Sequence, residues 1–287
     1  MIPGSFAYHR PKTLPEAISL LADLGEDARP LAGGHSLIPM MKLRLAAPEH
    51  LVDLAGIGDL RGIREDGGDV VIGALTTQHE VIGSGLLAGK IPILRETALV
   101  IADPQVRYAG TVGGNVANGD PGNDLPAVML ALDATYQIDG KDGTRRIPAR
   151  SFYKGAYATA LAPHEILTAV RIPVPPAGHG AAYEKLKRKT GDYATAAAAV
   201  VLTMGDGVVK TCAIGLTNVG DTPLLAEQAA RILAGSSLDA ETVKRAVAAA
   251  EAITSPASDN RGPAQYRTKM AGVMLTRALA RAAGRIA

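Results

Sequence analysis

Cysteine is almost missing from this 287-residue chain. Cys212 is the only one, which excludes an internal disulfide and any four-thiolate iron–sulfur cluster or zinc site built from this chain alone. Tryptophan is absent and phenylalanine occurs twice, so the cores must be packed with Ala, Val, Leu and Ile, and close approach of backbones follows. Aromatic platforms for stacking are correspondingly scarce. An excess of one charge is lacking too: 30 basic and 28 acidic residues are scattered to a formal +2, which leaves no basic stripe and makes nucleic acid a poor partner. No apolar run is long enough to span a bilayer. Met1 to Pro11 lacks the basic-then-apolar order of a signal peptide, so the expected location is the cytoplasm. The six histidines are scattered, with no H-E-x-x-H, no C-x-x-C and no Ser–His–Asp signature.

The composition that remains, 47% hydrophobic and 20% charged, is that of a globular protein, and the length implies two compact units. Thr13 and Glu16 form a capping-box pattern ahead of Leu14, Ala17, Ile18, Leu21 and Leu24, which predicts a helix ended by Gly25. A strand at Ala28 to Ala32, a glycine pair and a helix at Leu37 to Leu45 then read as a strand–turn–helix unit. His50 to Leu54 reads as a strand, and a hairpin about Gly67-Gly68 opens a second unit. Two short helices are expected within Thr77 to Thr97. Tyr108 to Asp124, dense in Gly, Asn and Asp, reads as a long irregular segment. A helix at Leu125 to Leu132 and strands at Thr135 to Ile138 and Ile166 to Ile172 complete this half.

Pro173, Pro175, Pro176, Gly178 and Gly180 mark a linker. It divides domains 1–177, with subdomains of about 1–57 and 58–177, from a domain 178–287. In the latter, Tyr183 to Arg188, Ala196 to Met204 and Val208 to Thr217 predict a three-stranded antiparallel sheet. Alanine-rich helices follow at Leu224 to Ala234, Ala240 to Ile253 and Ala264 to Ile286.

Two turns carry chemistry. At Ala32-Gly33-Gly34-His35-Ser36, between strand and helix, unpaired N–H groups and absent Cβ atoms suit a phosphate or diphosphate. Thr111-Val112-Gly113-Gly114-Asn115 is a second glycine pair flanked by a hydroxyl and an amide, and the two turns are expected to grip one diphosphate from both sides with their main-chain amides. Each alone is also what an ordinary tight turn looks like. Other nucleotide signatures fail: Gly56, Gly58 and Gly62 miss the G-x-G-x-x-G spacing, and Ser84 and Ile91 spoil the P-loop pattern around Gly89-Lys90.

The order and spacing of A-G-G-H-S and T-V-G-G-N resemble the FAD-binding domain of molybdenum hydroxylase flavoproteins. The stretches Ala102-Asp103-Pro104-Gln105 through Asn123-Asp124 and Lys185 through Tyr193-Ala194-Thr195 are similar to the carbon monoxide dehydrogenase branch of that family. The resemblance spans essentially the whole chain and implies an α+β protein. Its parts are a vanillyl-alcohol oxidase-type FAD-binding domain of two α/β subdomains and a C-terminal domain of sheet and helix bundle.

The same resemblance implies the site. Ala32 to Ser36 and Thr111 to Asn115 match the diphosphate loops. Asp124 matches a carboxylate that contacts the cofactor and suits ribose hydroxyls, and it also reads as a helix N-cap before Leu125. Leu161 matches an apolar position against the flavin ring, or a core leucine. Lys185 matches a lysine near the ring, where a cation stabilises charge on reduced flavin. Tyr193 reads as a phenol beside the ring or as a strand-edge tyrosine. Ile101 stands where xanthine dehydrogenase-like relatives carry an aromatic residue, and Arg29 replaces a lysine of those relatives. Despite His35, the family implies noncovalent FAD.

No residue here is expected to act as a catalytic acid or base. Partners are implied: a large subunit with molybdopterin and a molybdenum–copper site oxidising carbon monoxide, and a small subunit with two [2Fe–2S] clusters. The assembly implied is a dimer of heterotrimers, cytoplasmic or associated with the inner face of the cytoplasmic membrane, with a quinone or another respiratory carrier as acceptor. Other readings are a flavin subunit acting on an N-heterocycle or aldehyde, a flavin-free docking subunit, and a free-standing flavin oxidase.

Overall fold

The computed structural model describes residues 2–286. The Thr13 hydroxyl accepts the Glu16 N–H at 3.3 Å and the Glu16 carboxylate accepts the Lys12 N–H at 2.8 Å. This starts the helix Leu14–Leu24, whose Ala17, Ile18 and Leu21 fall on one buried face. Gly25, at φ +64°, ends it. The helix belongs to a unit built on a three-stranded parallel sheet ordered Ala7–His9, His50–Asp53, Ala28–Leu31. The next helix runs Leu37–Lys42, shorter than the expected Leu37 to Leu45. Arg44 adopts φ +62°, and the N–H groups of Leu45 and Ala46 turn back to the Met40 carbonyl, which stops the helix.

The second unit is a five-stranded antiparallel sheet ordered Ile63–Asp66, Asp69–Gly73, Ile166–Pro173, Thr135–Gly140, Gly143–Pro148. The first two strands turn at Gly67 and Gly68, both at positive φ, as the hairpin reading requires. Gly143–Pro148 escaped the sequence reading because this edge strand is almost wholly exposed and carries one large apolar residue, Ile147.

Three helices, not two, occupy the next stretch: Gln78–Gly83, Gly85–Lys90 and Pro92–Val100. Ser84 restarts the chain by accepting the Leu87 N–H, and Pro92 sits at the start of the third helix, where its missing N–H costs nothing. Tyr108 to Asp124 is likewise more regular than its composition suggests, because it contains the helix Val112–Ala117 and the end of Pro104–Ala109. Thr111 caps the former by accepting the Gly114 N–H. Gly113 packs so tightly on Ala74 that a Cβ there would lie 2.4 Å from the Ala74 Cβ.

Every residue of the helix Asp124–Ala131 is buried. It lies between the second unit and a C-terminal antiparallel sheet of Gly180–Leu186, Ala196–Gly205 and Val208–Thr217, which the two-residue strand Leu224–Leu225 extends. Side chains along Ala196–Gly205 alternate between two cores. Ala197 and Ala199 join the core of the second unit, while Ala196, Ala198, Val200 and Leu202 meet the C-terminal helices. Those helices are Glu227–Leu233, Ala240–Ala252 and Ala264–Ala283. Among the described residues no helix is long and apolar enough to cross a membrane.

Small residues set the spacing of these layers. A Cβ on Gly215 would stand 2.0 Å from the Ala127 carbonyl oxygen, and one on Gly180 2.0 Å from that of Ala282. Gly215→Ala is therefore expected to cost about 1–3 kcal/mol of unfolding free energy, read by chemical denaturation. Gly83→Ala, in a helix with open space around the added carbon, is expected to be neutral or to stabilise by a few tenths of a kcal/mol to about 1. Equal effects at the two sites would contradict the close-packing account.

Candidate functional site

A cleft of about 670 Å³ opens between the two N-terminal units, with the strand end at Lys185 and the turn at Tyr193 on one side. The residues singled out from the sequence line it, with one exception. Val112 is 1% exposed, belongs to the hydrophobic core and donates its N–H to Thr76, so neither its side chain nor its amide is available to a ligand.

The two glycine turns meet. A Cβ on Gly33 would lie 2.2 Å from the Ala109 carbonyl oxygen and 2.8 Å from the Gly110 Cα, and a Cβ on Gly114 would lie 3.6 Å from that of Ala32. At Gly33 only glycine permits so close an approach. The turns are nevertheless not equivalent. Among the described residues, the main-chain N–H groups of Gly33 to Ser36 have no protein acceptor, as expected for an anion cradle. The N–H groups of Val112, Gly113, Gly114 and Asn115 are spent on Thr76 O, Ala74 O, the Thr111 hydroxyl and Thr111 O. The expectation that both turns present free main-chain amides is corrected for the second, because its glycines close a helix cap. What that turn offers is the Thr111 hydroxyl and the Asn115 side chain.

Three buried polar atoms lining this cleft lack any partner: Gln78 Oε1, Asn115 Oδ1 and Asn118 Nδ2. Buried polar groups in native proteins are almost always hydrogen-bonded, so three together in one cleft call for a ligand bearing donors and acceptors. Gln78, 2% exposed, donates through Nε2 to the Thr111 carbonyl at 3.4 Å and turns its oxygen inward. Sequence reasoning missed it. Thr77 and Glu80 do form a capping box, but nothing in that pattern says that Gln78, one of the two residues between them, faces a cleft. Asn118 was passed over within its Gly- and Asn-rich stretch.

The most polar buried point is the pair Lys185–Asp124, 2.8 Å apart with side chains 2% and 5% exposed. Tyr183 donates its hydroxyl to the other Asp124 oxygen at 2.6 Å, and Lys185 Nζ also donates to the Val100 carbonyl at 3.2 Å. Asp124 is the first residue of its helix rather than its N-cap, a position taken by Asn123. Burial pushes the Asp124 carboxyl above its ordinary value, against the pull of Lys185 and Tyr183. Burial, and then the Lys185 charge, lower Lys187, whose Nζ reaches the same Val100 carbonyl at 3.3 Å. Arg107 donates to the Ile101 carbonyl at 2.8 Å, so three cations grip the end of the helix that delivers Ile101 to the cleft.

Leu161 sits in a turn fixed by Glu165, which accepts two hydrogen bonds of 2.7 Å from Arg145 and one of 2.8 Å from the Ala162 N–H. Tyr193 is 40% exposed, lies against Gly122, and has the Arg261 guanidinium 5.8 Å from its ring centre. Burial pushes the Cys212 thiol up to about 12, which keeps it protonated and unreactive. Among the described residues no group of three or more His, Cys, Asp or Glu can hold a metal ion. The cleft thus suits an extended, anionic, partly aromatic ligand, and it offers binding and a local positive charge rather than acid–base chemistry.

Comparison with known proteins agrees with this geometry. Residues 4–175 match the family described as the FAD binding domain in molybdopterin dehydrogenase, and residues 181–282 match the CO dehydrogenase flavoprotein C-terminal domain. The chain is 68% identical over 285 residues to the carbon monoxide dehydrogenase medium chain of Afipia carboxidovorans, covering 99% of both. A solved structure of reconstituted CO dehydrogenase from Oligotropha carboxidovorans superposes with a TM-score of 0.99 at 68% identity, covering 99% of this chain and 100% of that one. Quinoline 2-oxidoreductase from Pseudomonas putida 86 superposes with a TM-score of 0.94 at 34% identity, with full coverage of both chains.

Two outcomes are expected from this site. Asp124→Asn and Lys185→Met should each cost about 3–5 kcal/mol, because each strands a buried polar partner, while the double variant should lose clearly less than the sum. Chemical denaturation of the set measures this, and strict additivity would deny the coupling. At Glu165, the hydrogen bonds from Arg145 hold the carboxyl below its ordinary 4.5. Its stabilising contribution is complete above the unfolded value and lost as pH falls through the folded one. The difference in melting temperature between the protein and Glu165→Gln should accordingly be full well above the ordinary 4.5 and fade as pH falls below it.

Proposed function

Since the chain belongs to the FAD-binding family of molybdopterin dehydrogenases, with the C-terminal domain of CO dehydrogenase flavoproteins behind it, we propose that it is the electron-transferring flavin subunit of an aerobic carbon monoxide dehydrogenase. The observation that carries the reading is the cleft itself. Two glycine turns almost 80 residues apart meet within contact distance beside orphaned buried amides. The choice of carbon monoxide over a heterocycle rests on the contrast between 68% and 34% identity in the two branches, at equal coverage of the chain.

The residues present fit FAD. The free N–H groups of Gly33 to Ser36 receive the diphosphate, with the Thr111 hydroxyl and the Asn115 side chain facing them from the second turn. The O and N of a side-chain amide exchange places by a half-turn, so Asn115 can present either a donor or an acceptor. Asp124 keeps an unused lone pair on each oxygen for a ribose hydroxyl. Ile101 and Leu161 give the ring apolar walls, Tyr193 covers it from the mouth of the cleft, and Lys185 places a fixed cation beside it. Bound FAD supplies a ring that takes up electrons singly and releases them in pairs. Binding is noncovalent, since the exposed His35 lies in the diphosphate turn.

A large partner subunit would hold molybdopterin with a molybdenum–copper centre, where carbon monoxide and water would give carbon dioxide, two protons and two electrons. A small partner subunit would hold two [2Fe–2S] clusters to relay electrons toward this chain, whose single thiol cannot hold a cluster. We place the boundary between the FAD-binding and C-terminal domains near Ala177–Gly178. We read the assembly as a dimer of heterotrimers in the cytoplasm, meeting a quinone or another respiratory carrier at the inner membrane face.

In the assembled complex, carbon monoxide should bleach the flavin absorption bands, and acid precipitation should leave the yellow colour in solution. A complex reconstituted with FAD and partners that shows no flavin bands would leave only a docking role. Lys185→Met should lower the flavin potential by roughly 30–60 mV. That figure corresponds to about 1.5–3 kcal/mol for a charge-assisted contact in a two-electron couple, and dye equilibration measures it.

A further inference from the structure

The strand Gly180–Leu186 carries both Tyr183 and Lys185, yet it is the edge of its sheet. An edge strand leaves alternate N–H and C=O groups without a neighbouring strand. Here two side chains take that place. Glu96, on the helix Pro92–Val100, accepts the outward N–H of Tyr183 at 2.8 Å, and Arg285, beyond the C-terminal helix, donates to the Ala181 carbonyl at 2.6 Å. The two are themselves paired at 2.6 Å, and Arg281 binds Glu96 at 3.2 Å while also pairing with Glu184.

The same helix meets the same strand again one turn later. Glu96 and Val100 are four residues apart and so share a helix face, about 5–6 Å apart along it. Tyr183 and Lys185 are two apart and share a strand face, separated by about 6.5 Å. The Glu96 carboxylate holds the Tyr183 main-chain N–H, and the Val100 carbonyl receives the Lys185 ammonium, so helix and strand are tied at two points about one helical turn apart. A slip of the strand by one residue would turn Lys185 away from Asp124 altogether.

We propose that Glu96 is a positioning residue of the cofactor site. By holding the edge of Gly180–Leu186, it sets the register at which Lys185 reaches Asp124 and presents its charge to the cleft. This deepens the flavin reading and rests on it. Glu96 does not line the cleft, and it acts only through the strand.

The test uses the assembled complex carrying Glu96→Ala or Glu96→Gln. Gln keeps an oxygen for the Tyr183 N–H, whereas Ala does not. In Glu96→Ala, hydrogen exchange of the Tyr183 amide should speed up about tenfold, the FAD dissociation constant should rise about tenfold, and the potential of the fully loaded flavin should shift negative. Glu96→Gln should stay close to the parent in all three. An unchanged potential in loaded Glu96→Ala overturns the proposal. An equal shift in Glu96→Gln overturns it as well, because that result assigns the effect to the charge rather than to the register. Should Glu96→Ala not assemble, Arg285→Ala removes the second edge contact together with one of the two arginines paired with Glu96, and leaves the Glu96 carboxylate on the Tyr183 N–H. Faster exchange across 180–186 with a smaller negative shift then supports the proposal, and parent-like exchange and potential overturn it. A parent complex without flavin would defeat the flavin reading instead, and the exchange at Tyr183 would still report whether Glu96 holds the strand.

Discussion

A lysine ammonium and an aspartate carboxylate stand 2.8 Å apart at the floor of the cleft with almost no access to water. Such a pair forms only where further hydrogen bonds replace the lost hydration, and Tyr183 and the Val100 carbonyl supply them here. The four groups come from three separate elements of the fold. Asp124 opens the fully buried helix, Val100 ends another, and Tyr183 and Lys185 lie on an edge strand of the C-terminal sheet. The pair therefore exists only while both halves of the chain are held in register, and the cleft inherits its shape from that constraint.

The abundance of small residues in the layers, with no Trp and only two Phe, makes this register attainable. Where Gly215 meets Ala127 and Gly180 meets Ala282, strand and helix touch through backbone atoms, with no intervening side chain that could repack. Contacts between backbones tolerate little sliding, so layers packed in this way are indexed against one another. The same device brings Gly33 against Ala109 and Gly110 at the cleft, where it serves binding rather than stability. One compositional bias thus sets both the core and the site.

The chain does little chemistry of its own. Its single thiol is partly buried and held protonated, and its cleft holds amides, hydroxyls, apolar walls and the buried Lys185–Asp124 pair. That inventory can bind a dinucleotide and set the local potential at its ring, and it leaves substrate oxidation to other subunits. The substrate is accordingly legible from this chain only through kinship, since relatives named for carbon monoxide and for quinoline share its fold at TM-scores of 0.99 and 0.94.

Much of this was open to reading in one dimension. The capping box at Thr13, the Gly67-Gly68 hairpin and the continuous apolar run opening Ala196–Gly205 are local patterns, and local patterns dictate local structure. The glycine turns were legible because a missing side chain is itself a signal. Other features depended on long-range contacts. Gln78 and Asn118 look like any surface amide until folding buries them, and Val112 looked like part of a ligand loop until it entered the core. The second turn promised free amides, but Ala74, Thr76 and the Thr111 cap consume them. Glu96 carries no mark at all in the sequence. Propensity and periodicity act over a few residues, so the amino-acid order determined the elements, the turns and the kinship. The partners of each polar group come from segments far apart in the chain, and only the packing of whole layers decided which of those groups face the cleft and which hold the fold.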